Sequence, residues 1–243
     1  MRLALVSDQH ANDVAFRAVL EDVGRVGVDE IVCLGDVAQG GTQPAETLDR
    51  LAALGCETVL GNADALLLEV PTDSPEPITE GLLEVREWTL SRLTSSHLEQ
   101  IRSFAPVVRR ELDDVAMVFF HGSPRSYDDV LLPGLDDEAV APFLGHDAAL
   151  LAGGHTHRQW TRRIGDAIYV NPGSVGIAYD WHREPPAVRS LAEWALVTAT
   201  DGAVAVEFRH VPYEAEDVRA AAVSSGRPHA DEWAAQWPPT PRP

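Results

Sequence analysis

An α/β fold that opens on a parallel βαβαβ unit is what this chain predicts, and three observations carry that reading. Short runs of aliphatic, β-branched and aromatic residues alternate with segments of helical periodicity. Five of the runs stop directly before residues able to bind a metal, with a glycine beside them to let the backbone turn. The 45% hydrophobic content over 243 residues is enough to bury a large core, and residues 1–243 are read as one domain.

The first strand, Leu3-Ala4-Leu5-Val6, runs into Ser7-Asp8-Gln9-His10. Asn12 and Asp13 cap a helix whose residues Val14, Ala15, Ala18, Val19 and Val23 share an apolar face, with Gly24 as its stop. The second strand, Ile31-Val32-Cys33-Leu34, ends in Gly35-Asp36. Pro44 opens the next helix, with Leu48, Leu51, Ala52 and Leu54 as its buried stripe and Gly55 as its stop. The third strand, Thr58-Val59-Leu60, ends in Gly61-Asn62-Ala63-Asp64. Strands fed by helices of this length form parallel, right-handed crossovers.

Residues 71–114 then form an insertion: a turn-rich loop over 71–77 and two amphipathic helices over 79–92 and 95–104, with Trp88 and Leu93 as core contacts. Ser95 or Ser96 with Glu99 marks a helix start and not a catalytic serine, because no histidine-paired elbow surrounds it. Whether the insertion overhangs the strand ends and restricts large substrates is open at this level. Val118-Phe119-Phe120 is the fourth strand, running into His121-Gly122, and 148–152 is the fifth, running into Gly154-His155-Thr156-His157. Strands over 194–199 and 204–210 are joined at Asp201-Gly202, a helix covers 214–223, and proline-rich 238–243 is an extended tail.

Open α/β sheets build their sites at the carboxyl ends of strands. Five such ends here carry oxygen and nitrogen donors and no sulfur, a mixture that suits Mn²⁺, Fe or Zn²⁺ better than Ca²⁺ or a thiolate zinc site. Each motif alone is weak: Gly-Asp after a strand is usually a turn, a lone His121 a core histidine, and Asn62 a turn residue. Their conjunction at the same kind of place is what points to a metal. His155 and His157, one residue apart, would point to opposite sides of an extended segment, which favours two ions side by side over one ion between them.

The ordered set Asp8-x-His10, Gly35-Asp36-x4-Gly41, Gly61-Asn62-x-Asp64, His121-Gly122 and Gly154-His155-x-His157 resembles the calcineurin-like metallophosphoesterases over the first three quarters of the chain. The resemblance implies a four-layer α/β/β/α sandwich, two mainly β sheets flanked by helices, with a dinuclear site at one rim. It implies that Asp8, His10 and His157 hold one metal, Asn62, His121 and His155 the other, and that Asp36 bridges both. It also implies two divalent ions, Mn²⁺ first and Fe or Zn²⁺ as alternatives, and catalytic parts for Asp36, Asn62, His121 and His155. Two such ions about 3.5–4 Å apart can clamp a phosphoryl group and lower the pKa of a shared water.

This chain departs from the family pattern at Ala63, where many members carry a histidine that protonates the leaving oxygen or steadies the transition state. The resemblance is closer to a small prokaryotic branch in which that position varies. Asp64, which would orient the missing ring, is read as a cap of the following segment. Among the histidines outside the motifs, His97, His146, His210 and His229 are read as surface or helix-end residues. His182, in the loop Asp180-Trp181-His182-Arg183, either is an exposed loop residue or reaches back over the metals, and Arg183 could meet a phosphate by the same route.

Composition excludes other classes. A formal net charge of −19 without a basic stripe argues against nucleic acid, and no stretch approaches a membrane span. Cys33 and Cys56 give no disulfide framework, and the chain enters a strand at once without a signal segment, so a cytoplasmic location is expected. The expected function is a dimetal phosphohydrolase acting on a small phosphate ester, first of all a phosphodiester, in which a metal-bridging hydroxide attacks phosphorus. A nucleotide or dinucleoside polyphosphate hydrolase is the alternative, and a non-catalytic metal-binding scaffold is the alternative of another class.

Overall fold

The structure is a computed structural model that describes residues 1–75, 77–144 and 148–237. The expected tail over 238–243 and His146 lie outside the described residues. The first half runs β1 (Arg2–Val6), α1 (Asp13–Val26), β2 (Glu30–Cys33), α2 (Pro44–Leu54), β3 (Glu57–Thr58), α3 (Asn62–Leu68), α4 (Glu80–Arg92) and α5 (Ser95–Arg102). Then come β4 (Val108–Leu112), β5 (Val115–Phe119), α6 (Asp137–Leu144), β6 (Leu150–Ala152), β7 (Trp160–Ile164) and β8 (Ala167–Asn171). The chain closes with β9 (Tyr179–Asp180), β10 (Ala187–Val188), β11 (Leu191–Thr200), β12 (Ala203–Pro212), α7 (Ala215–Ser225) and α8 (Ala230–Ala235).

Two five-stranded sheets result, ordered β12-β11-β1-β2-β3 and β4-β5-β6-β8-β7, with β9 and β10 as a separate ribbon. β1, β2 and β3 are parallel, as are β5, β6 and β8, while β11, β12, β4 and β7 pair antiparallel with their neighbours. Side-chain alternation along a strand sorts residues between two cores. Leu3 and Leu5 of β1 pack with Met117, Phe119, Leu150 and Val170 between the sheets. Ala4 and Val6 face the other way, onto Phe16 and Val19 of α1, Leu48 and Leu51 of α2 and Ile101 of α5. On the far face of the second sheet, Phe120 and Tyr169 meet Val140 and Leu144 of α6. Helix, sheet, sheet and helix are therefore stacked in four layers. A further cluster, centred on Trp233 and Trp237, seals α7 and α8 against Val14 and Ile177.

Several local expectations shift. α1 runs through Gly24 to Val26, and it is Gly27, at φ 71°, that stops it and donates its N–H to the Val23 carbonyl at 2.9 Å. In α2 the boundaries hold, but Ala52 faces solvent. α5 starts one residue earlier than a serine cap requires: Thr94 Oγ1 accepts from His97 N, and His97 Nδ1 accepts from Thr94 N, both at 3.2 Å. Leu93 packs on the helix-side core, whereas Trp88 is half-buried under Arg92, and Val85 and Thr89 are the buried positions of α4. The Asp201-Gly202 hairpin turn is present with both residues at positive φ, and its strands are longer than expected because β11 and β12 stay paired from Leu191 opposite Pro212 to Thr200 opposite Ala203.

Candidate metal centre

Every motif residue lies just past a strand end of one sheet or the other. Beyond β1 and β2 the parallel ladder continues into the loops, with Asp8 N donating to Gly35 O (2.9 Å), His10 N to Asp36 O (2.9 Å) and Ala11 N to Val37 O (2.8 Å). Asp8, His10, Asp36, His155 and His157 all adopt positive φ, between 45° and 69°. Residues other than glycine take that conformation at a cost of about 1–3 kcal/mol each, and such strain concentrates at functional sites.

The carboxylate of Asp36 is clamped. Ala63 N, at the start of α3, donates to its Oδ1 at 2.8 Å, and a Cβ at Gly61 would land on the same carboxylate, so that position has to be glycine. Asp64 has a larger part than the simple cap expected of it. Its bond to Gly61 N is long (3.4 Å), while the shorter ones go to Asp36 N (2.8 Å) and Val37 N (2.9 Å), so this fully buried side chain holds the turn that aims Asp36. Burial, with the nearby charge of Asp36, pushes its pKa up to about 7.

The imidazoles are oriented by backbone carbonyls. Nδ1 of His10 faces Gln39 O (2.9 Å), that of His121 faces Leu34 O (2.7 Å), and that of His157 faces Ile177 O (2.9 Å). A carbonyl accepts only, so each neutral ring keeps its proton on Nδ1 and turns the Nε2 lone pair inward. Those lone pairs converge. His10 Nε2 lies 3.0 Å from His157 Nε2, His157 Nε2 lies 3.3 Å from Asp8 Oδ1, and Asp36 Oδ2 lies 3.3 Å from His121 Nε2 and 3.6 Å from His10 Nε2. On the other side Asn62 Oδ1 lies 3.1 Å from His121 Nε2 and 2.9 Å from His155 Nδ1.

Two groups of donors within 4.8 Å of one another stand out: Asp8, His10 and His157, and Asp8, Asp36 and His121. Asp8 Oδ1 is buried without a hydrogen-bond partner, the condition of an oxygen built for a cation. Electrostatics agree. Burial alone would lower the pKa of His121, yet the charges of Asp36 and Asp8 outweigh it and push it up to about 10. Burial likewise opposes a charge on His157, and Asp8 raises it. Asp36 goes the opposite way, held far below the usual carboxylate range by His121 and His10 despite its burial. The donor set therefore fits divalent ions: two carboxylates, inward imidazole nitrogens and an amide oxygen, with their outer atoms already tied to backbone.

All seven residues singled out from the sequence, Asp8, His10, Asp36, Asn62, His121, His155 and His157, come together here. His155 and His157 do turn to different sides, but through left-handed turns past the end of β6 and not by strand alternation. His182 is exposed, its amide bonded to Asp180 Oδ1 at 3.1 Å, and Arg183 is exposed beside it. Their loop sends other residues to the site. Tyr179 stacks on His157 with ring centroids 5.8 Å apart, and Trp181 Nε1 donates to the His157 carbonyl at 3.2 Å. Asn171 Nδ2 donates to Gly154 O at 2.6 Å, and Ser174 Oγ to Asp8 O at 2.9 Å, which ties the Asn171-Pro172-Gly173-Ser174 turn to both motif loops. The closeness of that turn to the fifth motif was the one available signal for these residues.

Comparison with known proteins agrees with this geometry. The family model of the calcineurin-like phosphoesterase superfamily domain matches residues 1–193. An uncharacterized protein of Methanocaldococcus jannaschii is 27% identical over 187 residues, covering 72% of this chain and 76% of its own. The crystal structure of a metallophosphoesterase from Sphaerobacter thermophilus is similar over 98% of both chains, with 25% identity and a TM-score of 0.73. A hypothetical protein from Pyrococcus horikoshii shares the fold over 93% of this chain and 94% of its own, at 18% identity and a TM-score of 0.78.

Proposed function

We propose, on the premise that the chain belongs to the calcineurin-like phosphoesterase superfamily and is a metal-dependent hydrolase of phosphoester bonds, that it cleaves phosphodiesters at a two-ion centre. The observation that carries this reading is the convergence of three imidazole Nε2 atoms on the Asp8 and Asp36 carboxylates, with Asp8 Oδ1 unpartnered. In this reading Asp8, His10 and His157 hold one ion, Asn62, His121 and His155 the other, and Asp36, whose Oδ2 is within 3.6 Å of His10 and of His121, reaches both. Mn²⁺ is the first choice for this donor set, with Fe or Zn²⁺ next. Bound, the ions would supply charge for the attacking and leaving sides of the phosphoryl group and bring the pKa of water toward neutrality.

The protein's own groups do the rest. Asn62 offers its oxygen to the cluster, and its NH₂ is left to donate to a phosphoryl oxygen, where charge develops in the transition state. Ala63 has no side chain that can protonate a leaving oxygen, so esters with stable leaving anions should react fastest. Charge balance favours a diester. Two divalent ions against two carboxylates leave two positive charges, which a diester monoanion and an attacking hydroxide neutralise, whereas a monoester dianion overshoots. Among the described residues no helix is long and apolar enough to cross a membrane. The unpaired Cys33 and Cys56 suit a reducing compartment, in keeping with a cytoplasmic enzyme.

The test is a hydrolysis screen after Mn²⁺ loading, with bis(p-nitrophenyl) phosphate, p-nitrophenyl phosphate, cyclic nucleotides and dinucleoside polyphosphates. Diesters are expected to turn over fastest. A preference for dinucleoside polyphosphates would replace the diester reading, and no turnover of any ester by protein with full metal content would leave the scaffold.

A further inference from the structure

We propose that the cavity opening beside Asn62 and His155 binds one ester group of the substrate, and that it selects an apolar, ring-sized group without negative charge. The inference rests on the reading that Asn62 and His155 face the phosphoryl group. The cavity encloses about 500 Å³ and begins at those two side chains. Such a volume lies within the range of small-molecule sites and is far more than a methyl ester needs. Its walls are apolar and come from separate parts of the chain: Leu66 from α3, Pro71 and Ile78 from the loop before α4, Leu82 from α4, and Tyr127 and Val130 from the segment after His121. Val130 is 50% exposed, a cost in water that a bound apolar group would remove.

Charge narrows the occupant. Among the described residues of the lining, the ionisable groups besides His155 are the carboxylates Glu69 and Asp128 and the phenol of Tyr127, with no lysine or arginine. A nucleoside or aryl ester fits such walls. A leaving group carrying further phosphates would meet the like charge of Glu69, which weighs against polyphosphate substrates.

The test compares phenylphosphonate with methylphosphonate as competitive inhibitors of bis(p-nitrophenyl) phosphate hydrolysis. They share the metal-binding head and differ only in the group offered to the cavity. The phenyl ring leaves water on entering the cavity, so phenylphosphonate should have a Ki about 10-fold lower, which is about 1.4 kcal/mol. Ile78→Asp and Val130→Asp, on two different segments, should each collapse that ratio toward one. 4-Carboxyphenylphosphonate should bind more weakly than phenylphosphonate, and Glu69→Gln should narrow the gap. An active enzyme with a ratio near one, or with a ratio that neither aspartate variant lowers, overturns the cavity assignment alone. Protein that hydrolyses no ester after metal loading overturns the catalytic reading beneath it.

Discussion

The two sheets meet at one rim and bring different chemistry to it. The first, through the loops after β1, β2 and β3, contributes the charges, Asp8 and Asp36, together with His10 and Asn62. The second, through the loops after β5 and β6, contributes only imidazoles, His121, His155 and His157. Their supports differ as well. The Asp36 turn is held from its own side of the molecule, by the Ala63 amide of α3 and by Asp64, which accepts from the Asp36 and Val37 amides. His121 depends on the other sheet, because its Nδ1 partner is Leu34 O at the end of β2, and His157 leans on Ile177 O. Charge is thus set by local backbone in one layer, while the orientation of His121 is set across the core between layers.

The largest expected effect is on the shared carboxylate. Asp36→Asn should lower turnover by at least about 10²-fold and reduce metal content on both sides, whereas His10→Ala should lose one ion of two. Elemental analysis after loading with excess Mn²⁺ measures this, and a wild-type chain that never holds more than one ion breaks the two-sided description. Next comes the support of that carboxylate. Asp64→Ala leaves the Asp36 and Val37 amides unpaired in a buried place, so we expect a loss of about 1–3 kcal/mol in urea unfolding and about 10–100-fold in turnover. Asp64→Asn, which keeps an acceptor, should lose less of both.

Dependence between the sheets is tested by two histidines of the second one. In metal-free protein His121→Ala orphans the Leu34 carbonyl and should cost about 1–3 kcal/mol, while His155→Ala, at a half-buried ring bonded among the described residues to Asn62, should cost less than about 0.5 kcal/mol. Equal losses in thermal melts would mean that the inter-sheet bond carries no special weight.

The smallest effect concerns Glu193 of β11, a buried carboxylate of the first sheet whose N–H donates to Ser174 O, behind the metal-site loops. It has one cationic partner within hydrogen-bond reach, Arg189 at 2.8 Å, and burial pushes its pKa up to about 7, whereas Asp36 among several imidazoles is held low. Because the folded form then binds more protons at this group than the unfolded one, whose pKa is 4.5, the contribution of Glu193 to stability is fully present below about pH 4.5 and is lost as pH rises to about 7. Glu193→Gln should remove that slope, so the wild-type minus variant difference in Tm should fall between pH 5 and pH 7.5. A flat difference would show that Arg189 already neutralises the carboxylate.

Elements with strong local signals were legible in the sequence. Pro44 and Gly55 bound α2 as read, and the Asp201-Gly202 turn lies where it was read. Weak local signals misled. β3 is only two residues long, with Val59 N still bonded to Cys33 O while Val59 also bridges Ala105, and β4 and β7 were missed because Arg109, Glu111 and Arg163 interrupt the apolar pattern on edge strands. α3 went unread because its first turn is the motif itself, where Asn62 and Asp64 look like turn residues.

The sequence by itself singled out the seven side chains that the structure brings together at the rim, because donor type, strand end and neighbouring glycine are local properties that a motif records. It also determined the parallel order of the first three strands, through the helices between them. Only the tertiary structure decided how those residues face one another: that His121 is aimed by a carbonyl of the other sheet, that Asp64 serves Asp36 across two loops, and that Tyr179 and Trp181, not His182, close on His157. The reason is that a side chain's direction depends on partners brought near by packing, and residues as far apart in sequence as Leu34 and His121 become neighbours only when the core between the two sheets is closed.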